Sequence, residues 1–178
     1  RDMQDKADPY SDLYSQAVRL FKNKKPVIAA VQGGAIGGGL GLSSVADFRI
    51  GCPESRFSAN FSRLGFHQGF GTTITLPRVI GPQNAAMMML TGRRLKGQEA
   101  FDIGLIDYLV PLKEVRSKAI ELAEEISEAG PLAVQSIRAT IRAGLAEQVE
   151  EIVSWELSEQ VRLQSTKDFK EGDRKSVV

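Results

Sequence analysis

The residues best suited to chemistry are the glycines between Gly33 and Gly41, which follow the short apolar run Val27–Val31. An apolar strand that leads through a glycine turn into a helix brings free backbone N–H groups and the positive end of the helix dipole to one point. Such a point binds negative charge. The sequence therefore predicts a turn that holds an anion or a developing oxyanion.

The spacing of these glycines separates three kinds of anion-binding turn. The dinucleotide fingerprint G-x-G-x-x-G fits no register of the segment, and a phosphate-binding P-loop needs a Lys followed by Ser or Thr where Leu40 and Gly41 stand. An oxyanion hole needs a backbone N–H that a carbonyl oxygen can reach, and glycine leaves that approach open. Gly37, Gly38 and Gly39 suit this third design, with the phosphate site of an unrelated nucleotide-binding protein as the weaker alternative.

The elements that would position this turn are short and alternate between strand and helix. Apolar periodicity and the placement of Gly and Pro predict helices near 12–22, 73–80, 97–104, 114–128, 131–143 and 147–165, and strands near 27–31, 48–51 and 106–110. A further helix is predicted to begin among the glycines and to include 42–46. The run Val27–Val31 is typical of a strand buried on both faces of a sheet. Residues 53–71 are predicted as a turn followed by a loop. The predicted class is α/β with a helical tail, and such a tail often serves oligomerisation.

Composition and charge exclude several classes of function. The 178 residues include 23 Lys and Arg against 22 Asp and Glu, a net charge of +1, so nucleic acid is not an expected partner. Cys52 is the only cysteine and His67 the only histidine, which argues against a disulfide framework and against a metal site of the usual zinc type. No apolar run reaches the roughly 18 residues of a membrane span, and residues 1–10 are unlike a signal peptide. We expect a soluble, cytoplasmic protein without a membrane partner.

Long stretches of the sequence resemble one known family. Lys25–Gly33 and Ala35–Leu40 together are similar to the signature of the enoyl-CoA hydratase/isomerase (crotonase) superfamily. The resemblance covers nearly the whole chain. It continues through Ala46-Asp47, Phe57, Leu64-Gly65, Leu90–Arg93, Ala100, Gly104–Ile106 and Val110-Pro111.

The resemblance implies a fold and an assembly. The fold would be the crotonase (ClpP-like) spiral of ββα units, with 1–111 as part of the core that bears the oxyanion hole and 112–178 as a C-terminal helical region for trimerisation. The N-terminal part of the family's fold would be absent from this chain. The assembly would be a homotrimer or a dimer of trimers. The substrate would be an acyl-CoA thioester, with no cofactor beyond the coenzyme A that the substrate carries.

The resemblance also implies which residues form the site. Gly38, the middle glycine of the triplet, would supply one N–H of the oxyanion hole that holds the thioester oxygen as it becomes an enolate. The remaining substrate-binding positions surround that glycine in the family pattern. They are Ala35, Ile36, Gly37, Gly41, Phe61, Gly69 and Phe70.

The sequence departs from the family at its acid–base positions. Hydratases of the family use two glutamates, whose positions fall on Gly41 and Phe61 in this chain. Neither residue can transfer a proton, so standard hydration and double-bond isomerisation are in doubt. His67 is the alternative acid or base, and the competing interpretation makes it a hydrogen-bonded loop residue. Two hypotheses follow: an acyl-CoA enzyme of another reaction type, and a non-catalytic acyl-CoA-binding or scaffold homologue.

Asp47, Trp155 and the charged residues near Trp155 carry structural expectations. Asp47, directly after the predicted helix, is expected to position local backbone instead of acting in catalysis. Trp155 and the charged residues of the helix at 147–165 are predicted to form an intersubunit or solvated face.

Overall fold

The computed structural model describes residues 9–176. Eight α-helices and six strands occur among them, together with two short 3₁₀ helices at Asn60–Leu64 and Leu112–Glu114. The helices are α1 Pro9–Phe21, α2 Gly38–Val45, α3 Thr72–Thr91, α4 Gly97–Asp102, α5 Val115–Ser127, α6 Pro131–Ile141, α7 Leu145–Gln164 and α8 Lys167–Ser176. The strands are β1 Ile28–Val31, β2 Gly34–Ile36, β3 Phe48–Gly51, β4 Arg56–Ser58, β5 Arg94–Lys96 and β6 Tyr108–Leu109.

The strands form two small sheets. In the first, β1, β3 and β6 are parallel and lie in that order. In the second, β2 pairs in parallel with β4, and β4 pairs antiparallel with β5. The α/β class predicted from the sequence is confirmed. The prediction that β1 is buried on both faces is wrong, because β1 lies at the edge of its sheet in the described chain and Ala30 is exposed.

Two segments that the sequence left as turn and loop contain regular structure. The glycine turn holds β2, and α2 begins at Gly38, among the glycines where the sequence predicted the beginning of the helix. The predicted loop at 53–71 contains β4 and the first 3₁₀ helix. Strands of three residues are too short to show an alternating pattern, and pairing with distant strands forms them.

Helix α3 is bent where the sequence predicted a stop. Gly81 has φ 76° and ψ 160°, outside the helical region, and Pro82 follows it. Helical geometry resumes directly afterwards and continues to Thr91, so the predicted break is a kink between two helical stretches.

Three apolar clusters hold the helices against the sheets. The first joins the second sheet to α3, through residues that include Ala35, Phe57, Leu95, Leu76 and Met88. The second joins α1 to α7 and includes Tyr14, Phe21, Val149, Val153 and Phe70. The third packs α5 on the first sheet through Ile50, Cys52, Val115 and Leu122. The C-terminal helices thus pack directly on the part of the chain that bears the glycine turn.

The helical tail leaves large apolar side chains uncovered. Leu132, Ile137 and Ile141 of α6 and Trp155 of α7 are all exposed, which fits the expected face at Trp155. The division at 111/112 and the trimer stay predictions. None of the helices at 9–176 combines the length and apolar character that a membrane span requires.

Candidate active site

The glycine turn places Gly38 at the first position of α2. Gly37 precedes the helix with φ 54° and ψ −116°, a conformation that glycine alone adopts without strain, and its N–H donates to the carbonyl of Ser58 at 2.9 Å. A Cβ built on Gly38 would meet no atom within 4 Å. As the first helical residue, Gly38 has no intrahelical acceptor for its N–H, and none is seen elsewhere in residues 9–176. The turn therefore offers an accessible donor at the positive end of a helix.

Phe61 lies against this turn. It belongs to the 3₁₀ helix Asn60–Leu64 and is 9% exposed, and a Cβ on Gly37 would lie 3.6 Å from its Cζ. The ring continues into an aromatic row, with Phe66 at a centroid distance of 6.4 Å and Phe169 of α8 at 5.2 Å from Phe66. An apolar aromatic ring thus lies beside the glycine turn.

Phe70 lies directly against Gly41 of α2. A Cβ on Gly41 would lie 2.5 Å from the Cβ of Phe70 and 2.8 Å from its Cγ. No side chain fits at Gly41 while Phe70 keeps this position. The rings of Phe61 and Phe70 therefore lie next to Gly37 and Gly41, and the replacement of two glutamates at positions 41 and 61 stays a prediction.

A cavity of about 550 Å³ opens next to the same helix. Leu42 and Phe70 line it on one side, and α1 contributes Gln16, Ala17, Arg19 and Leu20 on the other. Leu42 follows Gly38 by four residues and so lies on the same face of α2, one helical turn away. Sequence reasoning missed Leu42 and the α1 residues, because α1 carried only the signal of an amphipathic helix.

The other predicted binding positions have mixed surroundings. Ala35 is buried in the first cluster, and Ile36 is half-buried. Gly69 is buried where Tyr14 and Gln160 press against it. The roles of Gly38, Ala35, Ile36, Gly37, Gly41, Phe61, Gly69 and Phe70 in binding stay predictions.

His67 makes its contacts towards α7. Its Nδ1 lies 2.8 Å from the carbonyl of Gln68, to which it donates in the tautomer protonated there, and its own carbonyl accepts from Nε2 of Gln160 at 3.0 Å. No hydrogen bond in the described part of the chain joins it to α2. This geometry agrees with the loop-residue interpretation, and the acid–base role of His67 stays a prediction.

Glu156 is a buried carboxylate that the sequence prediction placed wrongly. It is 0% exposed, although the charged residues of this helix were expected on a solvated or intersubunit face. It accepts hydrogen bonds from the N–H of Gly71 at 2.8 Å and of Thr73 at 3.1 Å, and from the Thr73 hydroxyl. It therefore caps the first turn of α3 from another helix. The burial of Glu156 could have been predicted from its spacing, because Val149, Val153 and Glu156 fall on one face of α7.

Burial raises the pKa of Glu156 above its ordinary value, and the hydrogen bonds from Thr73 and Gly71 oppose this rise. The unfolded chain ionises first, near pH 4. The stability that this raised pKa contributes is therefore complete at low pH and is lost as the pH rises from about 4 through the folded pKa. Glu156→Gln removes this loss, so its free energy of unfolding should rise relative to wild type over that range. Urea unfolding at a series of pH values measures it.

The exposed Glu151 on the same helix provides the control. Glu151→Gln should track the wild type at every pH. A constant difference between Glu156→Gln and wild type from pH 4 to 8 would show that the buried carboxylate does not titrate with a raised pKa.

In residues 9–176, no three His, Cys, Asp or Glu side chains come together in an arrangement that could hold a metal ion.

Comparison with known proteins identifies the family. The sequence model of the enoyl-CoA hydratase/isomerase family matches residues 1–176. A crotonyl-CoA hydratase of Syntrophomonas wolfei subsp. wolfei is 36% identical over 167 residues, which are 93% of this chain and 64% of that protein. A carnitinyl-CoA dehydratase of Salmonella enteritidis PT4 is 34% identical over 145 residues, which are 82% of this chain and 56% of that protein.

A solved structure shows the same architecture. The enoyl-CoA hydratase/isomerase of Pseudoalteromonas atlantica T6c superposes with a TM-score of 0.83 at 25% identity, over 89% of this chain and 64% of that one. The chain thus spans less than two thirds of each of these three proteins. It belongs to the enoyl-CoA hydratase/isomerase family and has the crotonase fold that the sequence predicted.

Proposed function

We propose that this chain is the part of an acyl-CoA enzyme that stabilises negative charge on the thioester oxygen. The observation that carries the proposal is the N–H of Gly38, which is accessible, lacks an acceptor among residues 9–176 and lies at the start of α2. A carbonyl oxygen that gains charge during reaction is stabilised by such a preorganised donor. Family membership supports a CoA thioester as the molecule that supplies this carbonyl.

The reaction is one that uses no carboxylate at position 41 or 61. Gly38 would hold the oxygen of an enolate or of a tetrahedral species, while the buried rings of Phe61 and Phe70 lie next to Gly37 and Gly41. Hydration by the usual pair of glutamates does not fit these residues. Thioester hydrolysis and carbon–carbon bond cleavage, both of which develop charge on the same oxygen, remain compatible with them.

A second candidate function is acyl-CoA binding without conversion. The apolar surroundings of the turn favour it, since neither Gly41 nor Phe61 supplies a proton-transfer group. Both candidates predict thioester binding, and only the first predicts turnover.

A panel of acyl-CoA thioesters separates the two candidates. The protein containing this chain is incubated with saturated, enoyl and β-carboxylated thioesters, and release of free CoA, loss of enoyl absorbance and release of CO₂ are followed. We expect conversion of at least one thioester. Binding of the panel without conversion would establish the non-catalytic candidate, and absence of binding would contradict both.

His67→Ala, tested on the same panel, assigns the remaining acid–base role. If His67 transfers a proton, its removal lowers the rate by about 10²–10⁴. If it serves only the loop, the rate changes little.

The assembly and its location complete the proposal. A homotrimer or a dimer of trimers in the cytoplasm would cover the exposed apolar residues Leu132, Ile137 and Ile141 of α6. Such residues are typical of a surface that a second subunit buries.

A further inference from the structure

The segment from His67 to Thr73 is held at both ends by α7. At its start, Nε2 of Gln160 donates to the carbonyl of His67 at 3.0 Å, and Oε1 of Gln160 accepts from the Tyr14 hydroxyl at 2.7 Å. At its end, Glu156 accepts from the N–H groups of Gly71 and Thr73. Glu156 and Gln160 are 0% and 1% exposed and lie one turn apart. One helix therefore fixes the segment from two buried polar side chains.

Phe70, in the middle of this segment, has an unfavourable backbone conformation. Its φ is 63°, and within the described chain it is the one residue other than glycine with a positive φ. Such a conformation persists only where the surroundings enforce it, and it is found most often at functional sites. Here the surroundings are close: a Cβ on Gly71 would lie 2.7 Å from Cγ1 of Val149 on α7.

The enforced conformation turns the Phe70 ring onto the helix of the glycine turn. The ring fills the space next to Gly41, three residues after Gly38, and with Leu42 it lines the cavity of about 550 Å³. An acyl group whose thioester oxygen is bound at Gly38 would extend along this same face of α2. The ring then limits how far the acyl group can extend.

We propose that Glu156 and Gln160 are positioning residues that hold Phe70 as the end wall of the acyl cavity, so that the site takes short acyl groups and excludes long ones. This inference rests on the proposed binding of acyl-CoA at Gly38. Neither Glu156 nor Gln160 contacts the acyl group, and both act through Phe70.

The first test compares acetyl-CoA with octanoyl-CoA as ligands by isothermal titration calorimetry, in the protein that contains this chain. Phe70→Gly relieves the positive φ and opens the wall, so the preference should shift towards octanoyl-CoA by about tenfold or more. Glu156→Ala should shift it in the same direction. Glu156→Gln, which keeps the shape and one acceptor oxygen, should lie between Glu156→Ala and wild type, and Glu151→Ala on the exposed face should leave the preference unchanged.

The second test measures amide hydrogen exchange at Gly71 and Thr73 without any ligand. Loss of the charged acceptor in Glu156→Ala should speed exchange there by about tenfold to a hundredfold. Val115→Ala, in the apolar cluster under α5, is the control for general destabilisation. It should leave the acyl preference unchanged, and it should not speed exchange at Gly71 and Thr73 more than at other residues.

Three results would overturn the inference. They are an unchanged acyl preference in Phe70→Gly, unchanged exchange in Glu156→Ala, and an equal shift of preference in Val115→Ala. If the wild type binds no thioester, the proposed function fails and the acyl-wall inference with it, while the exchange data still decide whether α7 holds the segment.

Discussion

Gly38→Val is expected to lower kcat/KM for a converted thioester by about 10²–10³, the usual effect of losing one oxyanion donor. The branched side chain would stand in the open space over the N–H of Gly38, where the substrate oxygen must approach. The fold should be retained, because a Cβ at this position meets no atom within 4 Å. Steady-state kinetics on the best thioester of the panel measures the loss, and circular dichroism checks the fold.

Gly33→Val is the matched control for this substitution. Gly33 lies in the connection between β1 and β2, and a Cβ there also meets nothing within 4 Å. Its variant should keep most of the wild-type activity. Full activity in Gly38→Val, or an equal loss in Gly33→Val, would show that the donor at Gly38 is not specific to the reaction.

Asp47→Ala is expected to destabilise the protein by about 3–5 kcal/mol, the range found when one partner of a buried ion pair is removed. The Asp47 side chain is 11% exposed and accepts from Nε of Arg138 at 2.8 Å and from Nη1 of Arg142 at 2.9 Å. It also accepts from the N–H of Val27 at 2.8 Å, which ties α6 to the start of β1. Without Asp47, the guanidinium groups of Arg138 and Arg142 would lose their carboxylate partner and keep only the carbonyl acceptors of Asn23 and Val45. Urea unfolding measures the change.

The geometry around Arg138 sharpens this prediction. Its Nη2 atom is buried and has no hydrogen-bond partner in the described part of the chain, while Nε donates to Asp47 and Nη1 to the carbonyl of Asn23. Glu54→Ala, in an exposed turn, should change the free energy of unfolding by less than about 0.5 kcal/mol. If Asp47→Ala lowered the free energy of unfolding by less than about 1 kcal/mol, solvent would be solvating the two arginines in place of Asp47. The expectation that Asp47 positions local backbone would then have no energetic support.

The glycine turn was predictable because all of its signal is local. A short apolar run, a set of glycines and the absence of Lys after them fall within residues 27–42, and the structure places Gly38 at the start of a helix. The helical tail was predictable for a similar reason, since Gly130 and Gly144 separate stretches of regular helical spacing. The observed boundaries of helices and strands differ by a few residues from the predicted ones where the same glycines could belong to a strand end or to a helix cap.

The wall around the turn was not predictable, because distant parts of the chain build it. Gly41 and Phe70 are separated by more than two dozen residues in sequence. Nothing in the sequence at either position indicates that the Phe70 ring occupies the space next to Gly41. Strands β2, β4 and β5 arise from pairings such as Phe57 with Leu95, which no local pattern encodes.

Glu156 shows the same limit for a charged residue. Its donors, Gly71 and Thr73, lie 85 and 83 residues away in sequence, so its burial depends on where α7 packs. Judged by its charge alone, Glu156 was assigned to the solvated face with the other charged residues of α7. The apolar stripe of α7 that contains Val149 and Val153 would have assigned it to the buried face.

The donor at Gly38 can be observed directly in the infrared spectrum of an acyl-CoA that is labelled with ¹³C at its thioester carbonyl and bound to the protein. Hydrogen bonding to a preorganised N–H weakens the C=O bond, so the carbonyl band should move to lower frequency on binding to the wild type and move much less on binding to Gly38→Val. A bound band at the frequency of the free thioester, or an equal shift in both proteins, would contradict the assignment of Gly38 as the donor to the thioester oxygen.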